Sequence, residues 1–328
     1  MNILILGGTQ FIGRNLVMRL LAEGKHTLTL FNRQRTGTGL FPEAQTIKGD
    51  RDTDDIHQIA AQHWDYVIDL SGYFPAQLQA SLGSLSKKPK KYIFISTCSV
   101  YESSNPEVLK SEDAPMLSCT AALAVDQSPA TYGNRKAGCE QILQESGIEY
   151  LILRPSLVVG PYDHTDRFYY WLYQVKKHET LVVPNLGASV FSIVYVHDLV
   201  DVILQALQTD SPSGIYTMIS VPEASIGAIV DHASAQLGKA PKLMNASPDY
   251  LESKGIKQWV DMPLWLDGNH FTYSNNKLVN DFNFQPTSLG VAISETIAYF
   301  DALGWPEPTY GISETARIDL IKDLKPPE

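Results

Sequence analysis

The chain has little cysteine, with three in 328 residues. Cys98, Cys119 and Cys139 are an odd set with no CxxC spacing, which excludes a disulfide framework and a cysteine zinc site and predicts reduced thiols in a cytoplasmic protein. Apolar runs approaching twenty residues are also missing, and the N-terminus enters an apolar strand directly with no charged leader, so neither a membrane span nor a secretory signal is expected. Basic charge is sparse too: 26 Lys and Arg stand against 36 Asp and Glu, for a net charge of -10. Without a basic face to follow a phosphate backbone, nucleic acid is a disfavoured partner. The lone basic run, Lys87-Lys88-Pro89-Lys90-Lys91, reads as a solvated loop before a strand.

What is present begins at once. Ile3 to Leu6 read as a strand buried on both faces, and the run stops at Gly7-Gly8. After Gly13, the apolar positions Leu16, Val17, Leu20 and Leu21 form one side of a helix that ends at Gly24. A strand, a glycine turn and a helix N-terminus make an anion site, because the first helical N–H groups lack partners and the dipole's positive end faces the same way. A dinucleotide pyrophosphate fits that chemistry. Gly7 and Gly13 fill the first and third places of the usual three-glycine fingerprint, while Gln10 occupies the middle one.

Further strands are predicted at Thr27 to Phe31, Gln45 to Lys48, Tyr66 to Leu70, Tyr92 to Ile95 and Leu151 to Leu153, with a helix over Asp54 to Gln62. Strands alternating with helices imply a doubly wound parallel α/β sheet, whose ligands gather beyond the strands' carboxyl ends. Asn32 and Arg33, at the end of the second strand, lack the acid that holds the ribose of NAD and lean toward NADP, the alternative being an ordinary polar turn. Thr97 follows the fifth strand. Tyr132 and Lys136 are four apart on one helical face, so that a lysine ammonium would lower the pKa of the phenol and make it an acid/base near neutral pH, with the Thr97 hydroxyl holding the substrate oxygen. Spacing alone is weak evidence, because Tyr173/Lys177, Tyr250/Lys254 and Tyr273/Lys277 repeat it in the second half.

The ordered set Gly7-Gly8-Thr9-Gln10-Phe11-Ile12-Gly13, Ser96-Thr97 with Val100-Tyr101, Tyr132-Gly133-Asn134-Arg135-Lys136, Leu153-Arg154-Pro155 and Val196-His197-Asp198-Leu199 resembles the extended short-chain dehydrogenase/reductase superfamily, the NAD-dependent epimerase/dehydratase family, in a branch with an atypical glycine turn. The resemblance implies a Rossmann-type sheet with a smaller C-terminal α+β substrate domain. It implies Tyr132 as catalytic acid/base, Lys136 as its partner and a contact of the nicotinamide ribose, and Thr97 as the third member of the triad. Gly7, Gly13 and the backbone of Thr9, Gln10, Phe11 and Ile12 would bind the pyrophosphate of NADP or NAD, Asp50 would meet the adenine, and Ser71 would lie toward the nicotinamide. Homodimers are a further implication.

Two departures from the family pattern bear on function. Gln10 replaces a glycine, in a branch some of whose members associate with RNA. Cys98-Ser99 stand where the dehydratases carry Asp-Glu, so a 4,6-dehydratase is disfavoured. The expected activity is a nicotinamide-dependent oxidoreductase or epimerase acting on a hydroxyl or carbonyl carbon, of a sugar nucleotide or related polar metabolite. The alternative is a non-catalytic NADP-sensing or RNA-associated protein on the same fold.

The expected domains are residues 1–160 with about 193–220 for the nucleotide, 161–192 with 221–305 for the substrate, and a tail helix in 306–328. Ser192 to Val196 should return the chain to the main sheet. Arg167 is a candidate for an anionic substrate group, its alternative being a local structural role. Arg154 reads as structural, His197 as capping or packing, and Met262 to Leu266 as a lid or a core segment. No metal site is expected.

Overall fold

The computed structural model describes residues 1–208, 210–266 and 271–324. In chain order, β1 (Asn2–Leu6), α1 (Phe11–Glu23), β2 (Thr27–Asn32), β3 (Gln45–Lys48), β4 (Tyr66–Asp69), α2 (Pro75–Gly83), β5 (Lys91–Ile95), α3 (Ala121–Val125), α4 (Tyr132–Glu145) and β6 (Tyr150–Pro155) make most of the first half. There follow β7 (Leu157–Val159), α5 (Arg167–Lys177), β8 (Thr180–Pro184), β9 (Val190–Tyr195), α6 (Val196–Ala206), β10 (Gly214–Met218), β11 (Val221–Ser225), α7 (Ile226–Leu237) and β12 (Lys242–Ala246). The last described elements are α8 (Pro248–Ser253), α9 (Asn276–Phe282), α10 (Leu289–Ala302) and α11 (Glu314–Leu324).

Seven strands form one parallel sheet in the order β10-β6-β5-β4-β1-β2-β3. The chain winds outward from β1 in both directions, which leaves a crevice at the carboxyl ends of β1 and β4. Alternation along each strand explains the two layers of helices. Ile3, Ile5, Ile68, Ile93 and Leu151 face α1 and α6, packing on Leu16, Val17, Val200 and Ile203. Leu4, Leu6, Val67, Phe94 and Ile152 face the other way, onto Leu78 of α2 and Cys139 and Leu143 of α4. Gly24 closes α1 in the left-handed conformation at φ 63°.

A second core lies outside this sheet. Phe168 and Trp171 of α5, Val183, Phe191, Ile229, Leu251, Ile293 and Leu320 meet there. Met262, Leu264 and Trp265 are buried in it, so the segment from Met262 belongs to the core and is not a lid.

Three expectations are corrected. β9 does not rejoin the main sheet but pairs with β7 and β11 in a three-stranded sheet. Both edges of β6 are already taken by β5 and β10, so β9 has no place beside that strand. The stretch after Asp54 is a 3₁₀ helix from Asp54 to Ala61. The basic run is the exposed loop expected at Lys87, Lys88 and Lys90, but its last residue is not solvated. Lys91 is buried and donates to the carbonyls of Ser211 and Pro212, and Lys88 caps the end of α4 through the carbonyl of Gly147.

Candidate functional site

The turn after β1 needs its glycines. Gly7 and Gly8 take φ of 110° and 99°, and a Cβ at Gly13 would stand 2.6 Å from the Cα of Gly8. Gln10 needs no such freedom: it precedes α1 with extended backbone, φ -121°, and its side chain makes no cap. Phe11 carries strain at the first helical position, φ 28°. Its amide and those of Ile12 and Gly13 have no carbonyl within their own helix, since the first intrahelical bond runs from Arg14 to Gln10 at 3.0 Å.

The turn is tied to both neighbouring strands. The Gly7 amide donates to Phe31 at 2.9 Å, Asn32 Nδ2 donates to the Gly7 carbonyl at 3.3 Å, and Ser71 Oγ donates to the Leu6 carbonyl at 3.2 Å.

A cleft of about 650 Å³ opens here. Of the expected binding residues it gathers Gly7, Thr9, Gln10, Phe11, Ile12, Gly13, Asn32, Arg33, Asp50 and Ser71. Arg33 is half-exposed and stands 3.8 Å from the Asp50 carboxylate, while the Asn32 side chain is spent on the Gly7 carbonyl and the Gln34 amide. Lys136, Thr97, Tyr132 and Arg167 do not line this cleft. It reaches only as far as Tyr73, whose ring centroid lies 6.4 Å from that of Tyr132.

Thr97 and Tyr132 meet beyond that point. Thr97 accepts from the Ser99 amide at 3.1 Å, which starts a short 3₁₀ turn, its hydroxyl donates to Ser99 Oγ at 3.1 Å, and it is the side-chain hydroxyl that acts on the phenol of Tyr132. The approach depends on Gly133, where a Cβ would lie 2.0 Å from the Ser99 carbonyl oxygen. α4 is clamped from below. Arg154 Nη2 donates to Glu140 at 2.7 Å and Ser96 Oγ to the same carboxylate at 2.5 Å, both pairs buried, which confirms a structural role for Arg154.

Lys136 departs from expectation. Its Nζ donates to the carbonyls of Gly72 and Ile95, each at 2.7 Å, and sits 4.0 Å from the centroid of the Phe94 ring. Burial lowers its pKa to about 8. The phenol of Tyr132 is correspondingly not lowered. Burial and the neighbouring Tyr73 push it up, outweighing the opposite pull of the Thr97 hydroxyl, so the proton stays on the phenol.

Sequence reasoning missed the group that holds the crevice floor. Arg51 forms a buried bidentate pair with Asp69 at 2.8 and 2.9 Å, and also donates to Ser71 Oγ and Ser81 Oγ. Tyr92 donates to the same carboxylate at 2.8 Å. Burial alone would raise the Asp69 pKa, but the Arg51 charge and the converging donors hold it low. The available signal was an aspartate ending a strand buried on both faces, which demands a partner.

Arg167 lies away from the cleft at the start of α5, between the rings of Trp259 at 4.8 Å and Tyr310 at 5.7 Å, with its Nε buried and unbonded. His197 is satisfied: Nε2 lies 3.2 Å from Asn15 Oδ1 and Nδ1 3.3 Å from Glu295. Among the described residues, no cluster of side chains suits a metal ion, and no helix is long and apolar enough to cross a membrane.

Known proteins bear out the architecture. The fold is shared with UDP-glucuronic acid 4-epimerase from Bacillus cereus, at 20% identity and a TM-score of 0.70 over 92% of this chain and 100% of that one. It is shared equally with UDP-glucose 4-epimerase from Thermus thermophilus, at 20% identity and a TM-score of 0.68 over 92% and 99%. In sequence, the chain is 29% identical over 227 residues to the chloroplast stem-loop binding protein of 41 kDa b from Arabidopsis thaliana, a match that spans 65% of this chain and 56% of that relative. The NAD dependent epimerase/dehydratase family model matches residues 3–218, the part that carries the glycine turn, Thr97, Tyr132 and Lys136, and the chain belongs to that family.

Proposed function

We propose that this protein is an NAD(P)-dependent oxidoreductase or epimerase that works on a hydroxyl or carbonyl carbon of a sugar nucleotide or related polar metabolite. The observation that carries this reading is the approach of the Tyr132 phenol to the Thr97 hydroxyl at the end of β5, with the buried Lys136 one turn further along α4. A protein that only bound nucleotide would have no use for a phenol set against a second hydroxyl. The UDP-sugar epimerases that share the fold support the substrate class.

The cleft suits a dinucleotide by its unpartnered helix amides and its close glycine contact. Gly7 to Gly13 would hold the pyrophosphate, Asn32, Arg33 and Asp50 the adenosine, and Ser71 the nicotinamide end, with Lys136 acting there from behind the cleft by fixing the carbonyls of Gly72 and Ile95 until a bound ribose draws its ammonium away. When bound, the nicotinamide supplies the hydride acceptor or donor. The absence of an acid on Asn32 and Arg33, and the presence of Arg35 and Thr36 along the same rim, favour the 2′-phosphate of NADP.

The chain's own residues handle the proton. Thr97 Oγ1 would hold the substrate oxygen, and Tyr132 would protonate it during reduction or take its proton during oxidation. A phenol kept protonated by burial suits donation, the reductive direction. Arg167, stacked on two rings with a free Nε, is assigned to an anionic group of the substrate. Residues 1–160 with about 193–220 are assigned to the nucleotide, and 161–192 with 221–305 to the substrate. The three unpaired cysteines support a cytoplasmic location, and the family resemblance supports a homodimer, which light scattering measures.

Substitution Tyr132→Phe tests the mechanism: turnover falls by at least about a thousandfold while the Kd for the nucleotide stays within about twofold. An active Phe variant removes Tyr132 from the chemistry. A second reading, RNA association, follows from the chloroplast relative, whose name says that it binds stem-loops. The net charge of -10 opposes it. Tight, salt-sensitive binding of a stem-loop RNA, with no nucleotide bound, would favour that reading.

A further inference from the structure

We propose that His164 is a diphosphate-binding residue, supplied to the nucleotide cleft by the loop between β7 and α5. The proposal rests on the reading of the cleft as a dinucleotide site and adds to it a ligand from outside the strand–turn–helix unit. Among the described residues, all others lining the cleft come from the first 77 positions, and His164 alone arrives from beyond β6. It is exposed, and it makes no hydrogen bond or ion pair with any described residue.

The loop is held against the glycine turn by contacts independent of any ligand. Asn15 is buried in α1 and donates through Nδ2 to the carbonyls of Phe11, at 3.0 Å, and Pro161, at 3.1 Å, so one side chain joins the first turn of α1 to the loop. One residue earlier, the Arg14 guanidinium lies 4.0 Å from the centroid of the Tyr162 ring. Tyr162 also packs on the small cluster of Phe11, Tyr195 and Val196.

The loop is stiff on its own account. Gly160 takes φ 128°, and a Cβ there would come within 2.9 Å of Tyr195 and Val196. The Asp163 carboxylate accepts from the Thr165 amide and hydroxyl, both at 2.8 Å. His164 therefore stands between two fastened neighbours, with ring N–H free to donate into a cleft whose other donors at that end are backbone amides.

A positioned imidazole donor here would strengthen the anion site at a turn where Gln10 replaces glycine. It would also make nucleotide binding sensitive to the loop that leads into Arg167, on the substrate side.

The test is calorimetric titration of the full chain with NADP+, NAD+ and adenosine 2′-monophosphate, which carries no diphosphate. For His164→Ala, the Kd of the dinucleotide rises about tenfold, the worth of one charge-assisted hydrogen bond. The Kd of adenosine 2′-monophosphate is unchanged. His164→Gln, which restores an N–H donor, recovers affinity to within about threefold of wild type. Equal dinucleotide affinity in wild type and His164→Ala overturns the proposal while leaving the cleft reading intact, as does an equal loss for adenosine 2′-monophosphate. Failure of the wild-type protein to bind either dinucleotide overturns the cleft reading itself, and this inference with it.

Discussion

Lys136 shows what a single residue can conceal. Its spacing from Tyr132 reads as a charge placed to depress a phenol, yet its ammonium is spent on two backbone carbonyls and its own pKa is lowered to about 8 by burial. The consequence for stability has a definite sign. Between about 8 and the ordinary lysine value of 10.5, the unfolded chain still binds the proton that the folded protein has released, so stability contributed by this group rises with pH across that window. The unfolding free energy of wild type minus that of Lys136→Met should therefore increase from pH 8 to pH 10, by at most about 1.4 kcal/mol per unit. Denaturant melts at three pH values measure it, and a flat or falling difference shows that Lys136 is not held in this way.

Residue type and order made the glycine turn, Thr97 and Tyr132 legible, because each is demanded by local backbone or chemistry. Arg51 with Asp69, and His164, were not legible. Their roles arise from segments brought together by the fold, 18 residues apart in the first case and across the two cores in the second.

At the scale of elements, periodicity served well wherever burial is two-sided. β1, β4, β5 and β6 are continuous apolar runs covered on both faces, and α1, α7 and α10 end near their apolar and glycine signals. It failed for β9, which is as apolar as a main-sheet strand. Sheet membership depends on which edges are free, and no local pattern records that.

The register between β5 and α4 depends on one absent side chain. Gly133→Ala would place a methyl 2.0 Å from the Ser99 carbonyl oxygen and force helix and strand end apart. The expected cost is about 2–3 kcal/mol, seen as a Tm lower by roughly 5 °C and a loss of turnover larger than the loss of nucleotide affinity. An unchanged Tm would mean that the helix shifts freely, and that Thr97 and Tyr132 are not held in register by this contact.

Across the whole molecule, the parallel sheet places one crevice at its switch point, and a second core stands beside it with Arg167 at its edge. The fold class followed from alternating strands and helices. Pocket shape did not, because the second half is joined by long-range packing of aromatics whose partners lie far off in sequence. The chain's 26 basic against 36 acidic residues leave it without the positive field that a nucleic-acid partner requires.

The proposed chemistry requires the cleft to hold a nicotinamide dinucleotide. Equilibrium titration of the purified protein with NADPH and NADH, followed by nucleotide fluorescence and calorimetry, addresses it directly. One molecule bound per chain, with NADPH tighter than NADH, is the predicted result. Binding of neither nucleotide at millimolar concentration would contradict it.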